Sequence, residues 1–152
     1  MDAHYLDASA LAKRYLEEAG SPIVSGLIES ANSIILSSQL CPIEVYSALS
    51  RRRNERFLSP DLFQRAVTAL ETDISHRIFL AEVSSEILIF AKALIVKHGV
   101  RAGDSIHLAT AFTLNGPPLI ATEDQLVFVG SDQALLNAAL AEGFRVMNPA
   151  VA

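Results

Sequence analysis

Short apolar runs, each too brief for a helix and each followed by a segment of helical period, recur from one end of this chain to the other. "HYLD" (residues 4–7) leads into "SALAKRYLEEAG" (9–20), "SIILSS" (33–38) into "CPIEVYSALSRRRNERF" (41–57), and "LVFVG" (126–130) into "SDQALLNAALAEG" (131–143). Brief runs of Ile, Leu, Val and aromatic residues bounded by polar ones read as strands, and apolar residues recurring every three or four positions read as helices. Their alternation predicts an α/β fold with a mainly parallel central sheet, because parallel neighbours need a crossover long enough to hold a helix. Such a sheet is buried on both faces, which accounts for a composition that is 51% hydrophobic with mean hydropathy +0.33.

The other segments extend the pattern. "SPIVSGLIESA" (21–31) starts a helix after Gly20, and "SPDLFQRAVTALETD" (59–73) starts another with Ser59 as cap and Pro60 in the first helical position. "SSEILIFAKALIVKHG" (84–99) ends at His98-Gly99, and "AGDSIHLATAFTLNG" (102–116) at Asn115-Gly116. "PLIAT" (118–122) and "FRVMN" (144–148) are further strand candidates, whereas "RIFLAEV" (77–83) fits a strand or an irregular connection. In the helix "CPIEVYSAL", Ile43, Tyr46, Ala48 and Leu49 are expected to face inward. The 152 residues suit one domain with one sizeable core. The longest apolar stretch, "ILIFAKALIV" (87–96), is too short to span a bilayer and carries Lys92. "MDAHYLD" lacks the basic and apolar regions of a secretory signal. Cys41 is the single cysteine, which excludes an intrachain disulfide and fits a reducing cytoplasm.

Ligands of open parallel sheets bind beyond the carboxyl ends of the strands. Asp7 ends the first strand, Glu44 lies early in the helix after the second, Asp104 opens the helix "GDSIHLATA", and Asp132 follows "LVFVG". Asp104 and Asp132 equally suit helix starts, through capping and the helix dipole. Glu44 stands between Ile43 and Val45, where a buried carboxylate needs a partner or a metal. Ser9 and Ser131 can hydrogen-bond carboxylates or serve as ordinary caps. Several acids without a nearby His or Cys ligand pair suit Mg²⁺ or Mn²⁺ rather than zinc. Without a cation, packed carboxylates would repel and raise one another's pKa. The net charge of −5 argues against a general nucleic-acid binder, yet an acidic site contributes to that total.

"YLDASALAKRYLEE", "PIEVYSAL", "AGDSIHLATA" and "FVGSDQALLNAALAEGFRVMNP" occur in this order and together resemble the PIN-domain family, specifically VapC-type toxins of bacterial and archaeal toxin–antitoxin pairs. The likeness covers nearly the whole chain. It implies a PIN-like three-layer α/β/α sandwich over residues 1–152 as a single domain, with Mg²⁺- or Mn²⁺-dependent cleavage of RNA that leaves a 3′-hydroxyl and a 5′-phosphate. Residue by residue, Asp7 matches the acid ending the first strand, Glu44 the helical glutamate, Asp104 the acid before the Ile-His-Leu-Ala run, and Asp132 the acid between a later strand and its helix. By that resemblance Asp7 and Asp104 are metal ligands, and Glu44 and Asp132 bind the metal directly or through water. Asp124, in "LIATED", is the alternative fourth acid; Asp132 is preferred because "QALLNAALAEGF" follows it as the family's next helix. The resemblance also implies a separate antitoxin polypeptide and a homodimer.

Arg51, Arg52, Arg53 and Arg56 form the only dense basic cluster. It reads as a solvated helix end favoured by the dipole, as a patch for RNA phosphates, or as a contact for an acidic partner segment. His107, in an apolar helix, reads as a hydrogen-bonded structural histidine rather than a general base. Two rival functions stand beside this one. "LDAS" loosely resembles the opening of haloacid-dehalogenase-like phosphatases, but Ser9 stands where their second aspartate belongs. A non-catalytic PIN scaffold binding RNA or protein would be expected to have lost some of the four acids.

Overall fold

A computed structural model describes residues 1–121 and 124–152. The first strand, β1 (Asp2–Leu6), lies at the centre of a five-stranded, wholly parallel sheet. On one side it pairs with β2 (Ser33–Ser38), which pairs with β3 (Ile78–Ala81); on the other it pairs with β4 (Leu126–Val129), which pairs with β5 (Arg145–Met147). The helices are α1 (Ala8–Leu11), extended by a 3₁₀ turn at Ala12–Arg14, α2 (Ser21–Glu29), α3 (Leu40–Asn54), α4 (Pro60–His76), α5 (Ser85–His98), α6 (Ala102–Leu114) and α7 (Gln133–Ala141).

Alternation along the strands builds the layers. Tyr5, Leu36 and Phe128 join one core with Leu94 of α5, Leu108 of α6 and Leu135 of α7. Leu6, Ile35 and Val129 join the other with Leu11 of α1, Val24 of α2, Leu49 of α3 and Leu70 of α4. Each large side chain buried in this way contributes about 1.5–3 kcal/mol of transfer free energy. The result is the α/β/α sandwich expected from the sequence. From β1 the chain steps outward through β2 to β3, then returns to the other side of β1 for β4 and β5. The connection therefore reverses direction between β1 and β4, where Leu6 stands beside Val129. The ladder continues one residue further: Asp7 N–H donates to Val129 O at 3.1 Å, and Gly130 N–H to Met147 O at 3.1 Å. Those bonds hold Asp7 and Gly130 at the crevice where parallel sheets bind ligands.

Three local expectations are corrected. The helix read over 9–20 stops at Arg14, because tertiary ion pairs outcompete its local period. Lys13 reaches Glu18 at 3.1 Å, while Arg14 and the Tyr15 hydroxyl bond the buried Asp73 of α4 at 3.1 and 2.9 Å. In α3 the buried stripe is Cys41, Val45 and Leu49, at i, i+4 and i+8, which turns Ile43 out to 69% exposure. "PLIAT" forms no strand over Pro118–Ala121, and its Thr122 lies outside the described residues. Pro117 and Pro118 bring no N–H to a ladder, and the chain turns so that Ile120 N–H bonds Gly116 O at 3.1 Å. The ambiguous "RIFLAEV" supplies β3. Among the described residues no helix is long and apolar enough to cross a membrane.

Candidate active site

Asp7 is 3% exposed and caps α1. Its Oδ1 accepts from the Ser9 hydroxyl at 2.7 Å and from Ala10 N–H at 2.9 Å. The same Ser9 oxygen accepts Ser131 N–H at 3.0 Å, so this hydroxyl ties the end of β1 to the loop after β4. The Asp7 carboxylate lies against Gly130, where an added Cβ would stand 2.8 Å from Oδ2. Burial pushes the Asp7 carboxyl above the usual carboxylate range; the bonds from Ser9 and Ala10 oppose that rise and the charge of Asp104 adds to it.

Asp104 lies in the first turn of α6 and Asp132 caps α7, accepting Leu135 N–H at 3.0 Å. Arg101 bridges the two, at 3.4 Å to Asp104 and 3.3 Å to Asp132. Partial burial raises the Asp104 carboxyl, Arg101 opposes it, and Asp132 adds to it. Glu44 projects from α3 and meets His107 Nε2 at 2.5 Å, and His107 Nδ1 faces the Tyr5 hydroxyl at 2.8 Å. His107 is thus hydrogen-bonded and buried, as expected, and one of its partners is a site carboxylate.

The structure brings Asp7, Glu44, Asp104, Asp132, Ser9 and Ser131 to one cleft of about 560 Å³. Arg51 and Arg52 also line it; Arg53 instead stacks over Phe63 at 4.2 Å, and Arg56 lies beyond the end of α3 outside the cleft lining. Asp124 belongs to a different hollow, with Met1, Ala3 and Ile34, towards the amino ends of β1 and β2. Position therefore separates the two alternative fourth acids, and only Asp132 shares the cleft. Lys13 and Arg101 line the cleft too, and neither is among the site residues expected from the sequence. A signal existed for each: Arg101 precedes Asp104 by three residues, and Lys13 follows Ser9 by one helical turn.

An all-oxygen donor set fits a hard divalent cation. Two observations support the fit: among the described residues Asp7 has no basic ion-pair partner, and the Ser131 hydroxyl is buried without a hydrogen-bond partner. In the conformation seen, no three acidic, His or Cys side chains among the described residues converge tightly enough to hold a metal. Arg101, 79% exposed at the side chain, occupies Asp104 and Asp132 through long contacts that cost little to break.

Comparison with known proteins identifies the family. The chain belongs to the PIN-domain family, whose model matches residues 4–128. It is 30% identical over 131 residues to ribonuclease VapC45 of Mycobacterium tuberculosis (strain CDC 1551 / Oshkosh), covering 86% of this chain and 90% of that protein. Its fold is similar to that of M. tuberculosis VapC20, a sarcin–ricin-loop-cleaving toxin, with TM-score 0.64 and 19% identity over 93% of this chain and 95% of the other. A toxin–antitoxin complex from Klebsiella pneumoniae is similar in fold at TM-score 0.57 and 16% identity, over 96% and 97% of the two chains.

Proposed function

We propose that this protein is a divalent-metal-dependent endoribonuclease and the toxin of a toxin–antitoxin pair, acting in the cytoplasm on RNA phosphodiesters. The observation that carries the reading is convergence: Asp7, Glu44, Asp104 and Asp132 come from four separate parts of the chain and line one cleft at the sheet's switch point. Membership of the PIN-domain family, and a relative named as a ribonuclease, support the reaction class.

Asp7 and Asp104 would hold Mg²⁺ or Mn²⁺, with Glu44 and Asp132 as direct or water-mediated ligands. A bound cation of this kind lowers the pKa of water and offsets charge developing on a phosphate. The chain's own residues do the rest. Ser9 donates to Asp7 Oδ1 and fixes the orientation of that carboxylate. Arg51 and Arg52 put positive charge on the wall of the cleft, where RNA phosphates would lie, while Lys13 and Arg52 share Glu18. Arg101, which also lines the cleft, can exchange its carboxylate partners for phosphate. Cleavage would leave a 3′-hydroxyl and a 5′-phosphate.

The antitoxin is a separate polypeptide, and the toxin pairs with a second copy of itself. Leu88, Ile89 and Val96 leave exposed apolar surface on α5 for such contacts. The test is incubation of purified protein with a mixed RNA pool in Mn²⁺, Mg²⁺ or EDTA, beside Asp7→Asn. Metal-dependent cutting that disappears in the variant is expected. Cutting that survives both EDTA and Asp7→Asn would refute the proposal.

A further inference from the structure

Glu44 differs from the other three acids in how it is held. Asp7, Asp104 and Asp132 are short side chains beside helix starts, whereas Glu44 hangs from the second turn of α3 on three rotatable bonds. One of its oxygens meets the ring of His107, which is 1% exposed on α6, and that ring meets Tyr5, which is fully buried on β1. The other oxygen, Oε2, lies beside Gly103, where an added Cβ would stand 3.3 Å away. An ionised carboxylate only accepts hydrogen bonds, so Nε2 carries the proton donated to Glu44. In the neutral ring Nδ1 is then an acceptor for the Tyr5 hydroxyl. One element from each of the three layers, α3, β1 and α6, therefore helps fix one oxygen of Glu44 and leave the second at the cleft, next to the residue that precedes Asp104.

We infer that His107, braced by Tyr5, is a positioning residue that presents the Glu44 carboxylate to the cation. The inference rests on the metal-dependent reading above and adds to it the residues that orient one ligand. Outer partners of this kind typically matter by about 10–100-fold in metal affinity.

The test is Mn²⁺ binding followed by electron paramagnetic resonance, which needs neither RNA nor turnover, with thermal melts of every variant. His107→Leu and His107→Asn should each weaken Mn²⁺ binding about tenfold or more, and Tyr5→Phe by less. His107→Gln, which can donate to Glu44 and accept from Tyr5, should restore most of the affinity. Glu44→Gln and the double variant Glu44→Gln/His107→Asn should bind equally weakly, because His107 acts only through Glu44. Leu94→Ala, destabilised in the core of α5, should bind Mn²⁺ as the wild type does. Wild-type affinity in both His107→Leu and His107→Asn would overturn the inference, as would effects of His107→Asn and Glu44→Gln that multiply. Failure of the underlying metal reading looks different, since the wild type itself would then bind no Mn²⁺.

Discussion

Replacing Gly130 with alanine isolates the geometry of Asp7 from its chemistry. Gly130 is buried and is not among the glycines of positive φ, so alanine meets no backbone objection there. Its Cβ would stand 2.8 Å from Asp7 Oδ2 and 3.1 Å from Asp7 Cγ, where ordinary contacts begin near 3.4 Å. The carboxylate must retreat by about 0.6 Å at Oδ2, the gap between 2.8 Å and the 3.4 Å at which ordinary contacts begin. A retreat loosens the bonds from the Ser9 hydroxyl and Ala10 N–H, at 2.7 and 2.9 Å. Crowding of this kind costs about 1–3 kcal/mol, and the lower entropy of unfolded alanine returns about 0.4–1 kcal/mol. The fold should therefore lose at most about 2.6 kcal/mol, or roughly 5–10 °C in Tm at this chain length. Function should suffer far more, since misplacement on this scale can cost about 10²-fold in rate. Thermal melts paired with Mn²⁺ titration and an RNA cleavage assay would separate the two effects. A Gly130→Ala protein that binds Mn²⁺ and cuts RNA like the wild type would show that Asp7 is not held where the reaction needs it.

Asp7→Asn keeps the helix cap but removes a charge that burial opposes, so it should raise Tm at neutral pH. Because the folded carboxyl titrates above its unfolded value near pH 4, native Asp7 costs stability as pH rises through that interval. The advantage of asparagine should vanish below about pH 4, where aspartic acid is protonated in both states; melts from pH 3 to 8 test the sign. Arg101→Gln should tighten Mn²⁺ binding about two- to fivefold by freeing Asp104 and Asp132, which is what an exposed pair of up to ~1 kcal/mol allows; weaker binding in a titration would contradict this. Asp73→Ala should cost about 1–3 kcal/mol in urea denaturation by leaving the Tyr15 hydroxyl without its acceptor and Arg14 with Glu29 alone, with Mn²⁺ affinity unchanged. Arg51→Ala and Arg52→Ala should raise KM for RNA and flatten its salt dependence, whereas Arg53→Ala and Arg56→Ala should leave both as they are.

Much of this architecture was legible because period reports burial. "SIILSS" and "LVFVG" are strands since each holds a short apolar run bounded by polar residues or glycine, and Ser59, Gly99 and Asn115 mark helix ends by their backbone chemistry. The carboxyl ends of the strands point to Asp7 and Asp132 from local pattern alone. What escaped the sequence is what depends on long-range partners. Arg14 and Tyr15 continue a helical pattern, yet Asp73, about sixty residues away, draws them out of it. Ile43 looks like a core residue by type, but the stripe of Cys41, Val45 and Leu49 already fills that face. The arginine cluster reads as one patch in sequence, and the turn of α3 divides it between the cleft and Phe63. His107 was legible as a bonded histidine, but the identity of its partner needed α3 and α6 side by side.

The most direct measurement is a crystal of this protein grown with Mn²⁺ and read by anomalous scattering at the manganese edge. The expected result is a peak in the cleft in contact with Asp7 and Asp104, with Glu44 and Asp132 around it, that is lost in Asp7→Asn. A cleft without manganese at concentrations that support RNA cleavage, or a peak only in the hollow beside Asp124, would contradict the assignment of these four acids.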